Sequence, residues 1–259
     1  MNSLYYRHWV AFNTLLTREV RRFIRIWPQT LLPPAITMTL YFIIFGNLMG
    51  SRIGEMGGFS YIDYITPGII MMSVINNAYS NVASSFYSAK FQNHIEELLV
   101  APIPNYLILA GYVAGGIARG LCVGLIVTLV SLFFTDISIQ HIFVTISMVV
   151  LSAIMFALGG FINGIYANSF DQISIIPTFI LTPLTYLGGV FFSITLLPEF
   201  WQNVSLFNPI IYMVNAFRYG MLGTSDIAIE VAFSIIIACI IALTTFALHL
   251  LNKGTGIRN

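Results

Sequence analysis

The 259-residue chain is 58% hydrophobic and only 8% charged, with a mean hydropathy of +0.86. A soluble domain carries about a quarter charged residues to hydrate its surface, so a water-coated globule is excluded and the apolar surplus must face lipid. The formal net charge of +1 points to neither nucleic acid nor an acidic partner, and only the placement of the charges is informative.

Residues 1–29 lack the short apolar core and small-residue cleavage site of a signal peptide. Trp9, Phe12, Leu16, Val20, Phe23 and Trp27 recur at steps of three and four, so a helix gathers them on one stripe. Arg18, Arg21, Arg22 and Arg25 fall roughly opposite. This predicts an amphipathic helix in the inner membrane interface, with its arginines toward anionic headgroups. It serves either as an anchor alone or also as a docking surface for a partner.

Crossing roughly 30 Å of hydrocarbon at about 1.5 Å per residue takes about 20 apolar residues. Six stretches reach that length: 30–49, 65–86, 107–134, 142–167, 173–194 and 231–251. Prolines in the first and fifth predict kinks that neighbouring helices absorb. The expected fold is therefore all-α, a six-span membrane domain over residues 30–259 behind the interface helix. Arg7, Arg18, Arg21, Arg22 and Arg25 precede the first span, Lys90 follows the second, and Lys253 and Arg258 follow the last. These eight cations stand against Arg52 and Arg218 in the loops of the other side. With an even span number, both termini are predicted in the cytoplasm.

Two connections are unusual. Residues 87–106 place His94, Ile95, Glu96, Glu97, Leu98 and Leu99 before Pro102 and Pro104. That predicts a short helix stopped by proline, more apolar than a solvated loop requires. It either lies on the membrane or projects as a peg for a cytoplasmic partner. Residues 195–229 hold Pro198, Trp201, Phe207, Pro209, Tyr212, Phe217 and Tyr219 with few charges. Too broken to span and too apolar to float, they are expected to form short re-entrant or interfacial external helices.

Catalytic chemistry finds little support. A phosphate-binding loop needs a Gly-rich turn ending in Gly-Lys-Ser/Thr, and neither Lys90 nor Lys253 follows one. His8, His94, His141 and His249 are scattered, without a carboxylate or cysteine at metal-ligand spacing, so no metal site is expected. Cys122 and Cys239 lie in apolar runs and read as small buried hydrophobes.

The polar residues inside the spans are more telling. Ser73, Asn77, Ser80 and Ser84 share one helix face, flanked by Asn76 and Asn81. Thr30, Thr37 and Tyr41 on the first span, and Thr178, Thr182 and Tyr186 on the fifth, form thinner stripes. Such faces either bond between helices or line a lightly polar pathway. Arg119 sits within the third span among Gly111, Gly115, Gly116, Gly120 and Gly124. The glycines predict close helix packing; the arginine reads either as a structural cap or as a functional charge. No Asp or Glu lies deep in a span, which counts against proton or sodium coupling. A stand-alone channel or facilitator and a lipid-active membrane enzyme remain as other classes, the latter lacking a visible nucleophile.

Five blocks in order carry a family resemblance: residues 25–34 (RIWPQTLLPP), 67–72 (PGIIMM), 95–102 (IEELLVAP), 183–191 (PLTYLGGVF) and 208–220, with Asn208-Pro209 leading to Phe217-Arg218-Tyr219-Gly220. On this frame the chain resembles the permease subunits of ABC type-2 exporters. The resemblance implies a homodimer in the bacterial inner membrane, with an ATP-binding subunit that holds ATP and Mg in place of this chain. It implies that the helix around residues 94–99 couples to that subunit, beside the N-terminal helix. It also implies a pathway between the two permeases, lined by spans one, two and five, and re-entrant external helices capping it. An apolar pathway bearing hydroxyls and amides suits an amphiphilic cargo: a lipid, a lipid-linked glycan or a drug.

Overall fold

The structure is a computed structural model that describes residues 2–136, 139–254 and 256. Arg258, one of the cations used for orientation, lies outside them. Helix α1 (Asn2–Arg25) is followed by a short α2 (Trp27–Thr30) and by α3 (Leu32–Tyr41). α3 continues through a π-helical stretch (Phe42–Met49) into α4 (Gly50–Ile53). A two-residue-stranded hairpin, β1 (Glu55–Met56) against β2 (Phe59–Ser60), leads into α5 (Tyr61–Phe91). Ser60 caps α5: its hydroxyl accepts from the Asp63 amide and donates to the Asp63 carboxylate.

After α5 come α6 (His94–Val100), α7 (Asn105–Ser131) and α8 (Ile142–Tyr166). Next are α9 (Phe170–Ile176), a π turn (Pro177–Leu181) and α10 (Thr182–Leu187). A 3-10 turn (Ile194–Leu196), α11 (Glu199–Leu206), α12 (Pro209–Leu222) and α13 (Ile229–Lys253) complete the described chain. The all-helical reading therefore holds. Four helical stretches among the described residues are long and apolar enough to cross a membrane: Trp27–Gly46, Asn105–Ser131, Ile142–Tyr166 and Ile229–Lys253. α5 is longer still but carries the Ser/Asn face, and the stretch over 170–187 is broken by its π turn.

The predicted fifth span is shorter than expected. Its helix stops at Leu187, because Gly189 takes a positive φ of 71° and turns the chain away. At the end of the π turn, the Thr182 hydroxyl donates to the Pro177 carbonyl at 2.9 Å, the same carbonyl that accepts the Thr182 amide.

α5 is the axis of the bundle, with α8 and α7 packed along it and Ile65, Ile69, Val74, Ala78, Val82 and Phe86 fully enclosed. Large apolar side chains such as Leu125, Phe143, Ile146 and Ile241 are exposed, as a surface that meets lipid requires. Cys122, expected inside, is on that exposed surface. The glycines of α7 permit the close packing predicted for them. A Cβ on Gly116 would lie 2.5 Å from Val82 Cγ2 and 2.9 Å from Ala157 Cβ, the contact point of three helices. Gly116→Val is expected to destabilise the chain by about 3 kcal/mol through overpacking, read as a loss of monodisperse protein on heating in detergent. Unchanged heat resistance would refute this account of the stripe.

Candidate functional site

One end of the bundle gathers the start of α1, α6, the start of α7 and the ends of α5, α8 and α13. Tyr106 Oη lies 3.3 Å from His8 Nδ1, and Asn105 Nδ2 donates to Asn252 Oδ1 at 2.7 Å. Lys90 Nζ donates to the carbonyls of Ile165 and Ala167 at 2.7 and 2.9 Å. These are carbonyls that the last turn of α8 leaves without intrahelical partners. Burial holds the Lys90 ammonium below its ordinary pKa. The cation counted for orientation is thus also a clamp that joins the root of α6 to α8.

α6 starts from Asn93 in the left-handed conformation (φ 60°), and an extended Ala101 ahead of Pro102 ends it. Ile95 is buried and pins the helix to the bundle; Leu98 and Leu99 are half-buried. His94, Glu96 and Glu97 are exposed, flanked by Phe91 and by Val100, which is 87% exposed. Two acids between two uncovered apolar side chains make a small, directional surface.

α1 packs lengthwise along the first half of α7, and its inward face is rotated from the predicted stripe. Leu15, Glu19 and Phe23 are the enclosed residues, whereas Trp9 and Trp27 are largely exposed. The reason lies across the interface. Cβ positions on Gly111 and Gly115 would fall within 2.7 Å of Leu15 Cβ and 2.5 Å of Glu19 Cβ. The bare backbone of α7 therefore receives a leucine and an acid rather than the tryptophans.

Around Glu19 runs a polar seam. Arg18 Nη2 lies 3.1 Å from Glu19 Oε1, and Arg22 Nε lies 3.4 Å from Oε2. Arg22 Nη2 also donates to the side-chain and backbone oxygens of Asn81, at 2.7 and 2.9 Å. The Arg18 guanidinium sits 5.2 Å from the centre of the Tyr112 ring. One helical turn along α5, Asn77 Oδ1 accepts from Arg119 Nη2 at 3.1 Å, while the Thr30 carbonyl lies 3.5 Å from the same nitrogen. Insertion of an arginine at a helix centre costs about 2.5–3.5 kcal/mol, and two neutral oxygens offset only part of that.

The pathway candidates divide into two groups. Ser73 and Asn77 are buried within the chain, and the Ser73 hydroxyl turns back to the Ile69 carbonyl. Ser80 and Ser84 lie half-exposed at the edge of the same face, next to Asn76. Thr30 is buried and bonds the Phe23 carbonyl at 2.8 Å, closing the turn between α1 and α2. Thr37, Thr178, Thr182 and Tyr186 are exposed and Tyr41 is half-exposed, so the first and fifth stripes share an uncovered surface. They meet where Tyr41 Oη lies 3.4 Å from Tyr186 Oη, beside Phe45 and Phe191.

Two residues escaped sequence reading. Glu19 is not singled out among the arginines of the predicted interface helix, yet it is 1% exposed. Arg218, counted as an external loop cation, is also 1% exposed and belongs to α12. Its Nε donates to the Tyr64 carbonyl at 3.2 Å and its Nη2 to the Gly189 carbonyl at 2.7 Å. The Tyr64 ring lies 4.0 Å below its guanidinium. The apolar run Ile210, Ile211, Met213 and Val214 on α12 was the available signal, because a helix that apolar carries its neighbours inward.

Residues 10–222 match the family described as ABC-2 type transporter. The chain is 56% identical over 253 residues to the inner membrane transport permease YadH of Escherichia coli K12, covering 97% of this chain and 98% of the relative. The same identity holds for YadH of Shigella flexneri. Nodulation protein J of Rhizobium leguminosarum bv. viciae is 23% identical over 185 residues, 71% of each chain. A match spanning most of the chain, with a relative of such identity end to end, is decisive: the chain belongs to the ABC-2 type transporter family.

Proposed function

We propose that this chain is the membrane-spanning permease subunit of an ATP-driven exporter in the bacterial inner membrane. It works as a homodimer with a separate ATP-binding subunit that supplies ATP and Mg. The observation that carries this reading is α6, a short helix fastened by Ile95 and by the Lys90 clamp, which presents Glu96 and Glu97 between exposed Phe91 and Val100. A loop with no partner gains nothing from holding that surface rigid.

In this reading the helix over 27–46, α5, α7, α8, the broken helix over 170–187 and α13 are the six spans. The end of the bundle bearing α6, the start of α1 and the end of α13 faces the cytoplasm, in accord with its cations. α11 and α12 are the re-entrant external elements. The uncovered stripes of Thr37, Tyr41, Thr178, Thr182 and Tyr186, joined by Ser80 and Ser84, face a second copy across the pathway. The mixture of hydroxyls and apolar surface suits an amphiphilic cargo.

The test is coexpression with a candidate ATP-binding subunit, followed by affinity purification and transport in proteoliposomes. Copurification together with ATP-dependent flux is expected. Flux that needs neither ATP nor the second subunit would instead identify a stand-alone facilitator.

A further inference from the structure

Arg218 and Tyr64 line a cavity of about 450 Å³ at the end of the bundle away from α6. Tyr64 is in the first turn of α5, whereas α6 follows the last turn, about 40 Å further along at about 1.5 Å per residue. Three residues of the wall carry an enclosed polar atom with no hydrogen-bond partner among the described residues: Arg218 Nη1, Tyr64 Oη and Thr224 Oγ1. Arg218 and Tyr64 are almost wholly buried, where an unpartnered polar atom is costly. The carbonyls of Tyr64 and Gly189 account for Nε and Nη2 of the guanidinium, but not for Nη1.

The charges of the cavity are ordered by depth. Arg218, Tyr64 and Ser193 are buried, whereas Glu55 on the hairpin and Asp226 ahead of α13 are exposed. All line one cavity, yet the ion pairs among the described residues lie elsewhere, so neither acid closes onto Arg218. Asp226 Oδ2 is held instead by the Ser193 hydroxyl at 2.7 Å and the Ile194 amide at 3.3 Å. A simple anion drawn to Arg218 has to pass two carboxylates, and a simple cation held by the carboxylates is repelled from below.

A molecule that carries both charges a few bonds apart satisfies both levels. We propose that this cavity binds a small zwitterion, of the α-amino acid or phosphoethanolamine type. Its anionic group takes Arg218 Nη1 and the hydroxyls of Tyr64 and Thr224, and its ammonium lies between Glu55 and Asp226. The volume is within the range of small-molecule pockets, roughly 300–1,000 Å³. The site stands apart from the export-permease reading, which supplies only that this end of the bundle faces outward.

The full chain, purified in dodecyl maltoside, is titrated by calorimetry with L-alanine and with phosphoethanolamine. The separate halves, acetate with ethylammonium and phosphate with ethanolamine, are titrated singly. At least one zwitterion should bind about tenfold more tightly than either of its halves. Arg218 is left intact because it also ties the fold. Tyr64→Phe removes a hydroxyl that bonds nothing in the fold, and Glu55→Gln removes an exposed charge. Each should lower that affinity severalfold while the thermal unfolding midpoint stays in place.

Tighter binding of alanine identifies a free amino acid as the occupant. Tighter binding of phosphoethanolamine identifies a lipid headgroup if dihexanoyl phosphatidylethanolamine competes for the site, and a soluble phosphoester if it does not. Each of these results supports the site. It is overturned by the absence of saturable binding, as in a cavity that holds water alone, by halves that bind as tightly as the whole, or by affinity untouched in both variants. The titration uses neither ATP nor the ATP-binding subunit, so failure of this site and failure of the export reading are scored separately.

Discussion

Glu96→Arg is expected to lower ATP-driven transport at least about tenfold while the chain still inserts and purifies normally. Glu96 is exposed on α6 and makes no ion pair among the described residues, so reversing its charge leaves the fold within about 0.5 kcal/mol of the parent. At a docking surface the same reversal sets like charge against whatever cation the partner presents, at a cost of several kcal/mol. Leu98→Asp should act similarly, with some loss of stability because Leu98 is half-buried. Ile95→Asp is the contrasting control. That side chain is fully enclosed, so a carboxylate there should abolish folding rather than coupling. The measurement is transport in proteoliposomes alongside recovery of the ATP-binding subunit. Transport and copurification both unchanged in Glu96→Arg and Leu98→Asp would remove α6 from the docking surface.

Arg218→Met should destabilise the chain by about 2–4 kcal/mol. The guanidinium ties three parts of the chain together: α12, the start of α5 through the Tyr64 carbonyl, and the turn at Gly189 through its carbonyl. Removing it takes a donor from two enclosed carbonyls, at about 1–3 kcal/mol for each left without another partner, partly offset because a buried cation no longer has to be desolvated. Its neighbourhood is a cavity of about 450 Å³ lined also by Glu55, Ser193 and Asp226, and the Asp226 carboxylate accepts from the Ser193 hydroxyl at 2.7 Å. Arg218→Lys should recover part of the stability, since an ammonium can still reach one carbonyl. Thermal unfolding in detergent reads the difference. A Met variant as heat-resistant as the parent would show that Arg218 is not the tie the geometry describes.

Composition and period by themselves determined the class of this protein. A chain with so few charges must put apolar side chains against lipid, and helices satisfy their own backbone groups there, so an all-helical membrane fold follows before any packing is known. The short helix α6 was legible for a similar reason: an acidic, apolar heptapeptide ended by proline has one local solution, and α6 forms where it was expected. The glycine stripe of α7 was legible as close packing, because in lipid small residues are what let helices approach.

Partners and sidedness were decided only by the tertiary structure. Periodicity reports which residues share a face, and several faces of a membrane helix are apolar, so the pattern of α1 could not say that Leu15 and Glu19 turn inward while Trp9 and Trp27 stay out. The open backbone at Gly111 and Gly115, on a helix far along the chain, made that choice. Arg218 reads as a loop charge until α12 folds into the bundle and two carbonyls converge on it. Likewise the face of Ser73, Asn77, Ser80 and Ser84 is single in sequence but divided in space, because α7 covers one edge of it and leaves the other uncovered. Local chemistry sets the elements; which charge is buried, and against what, is a property of long-range contact.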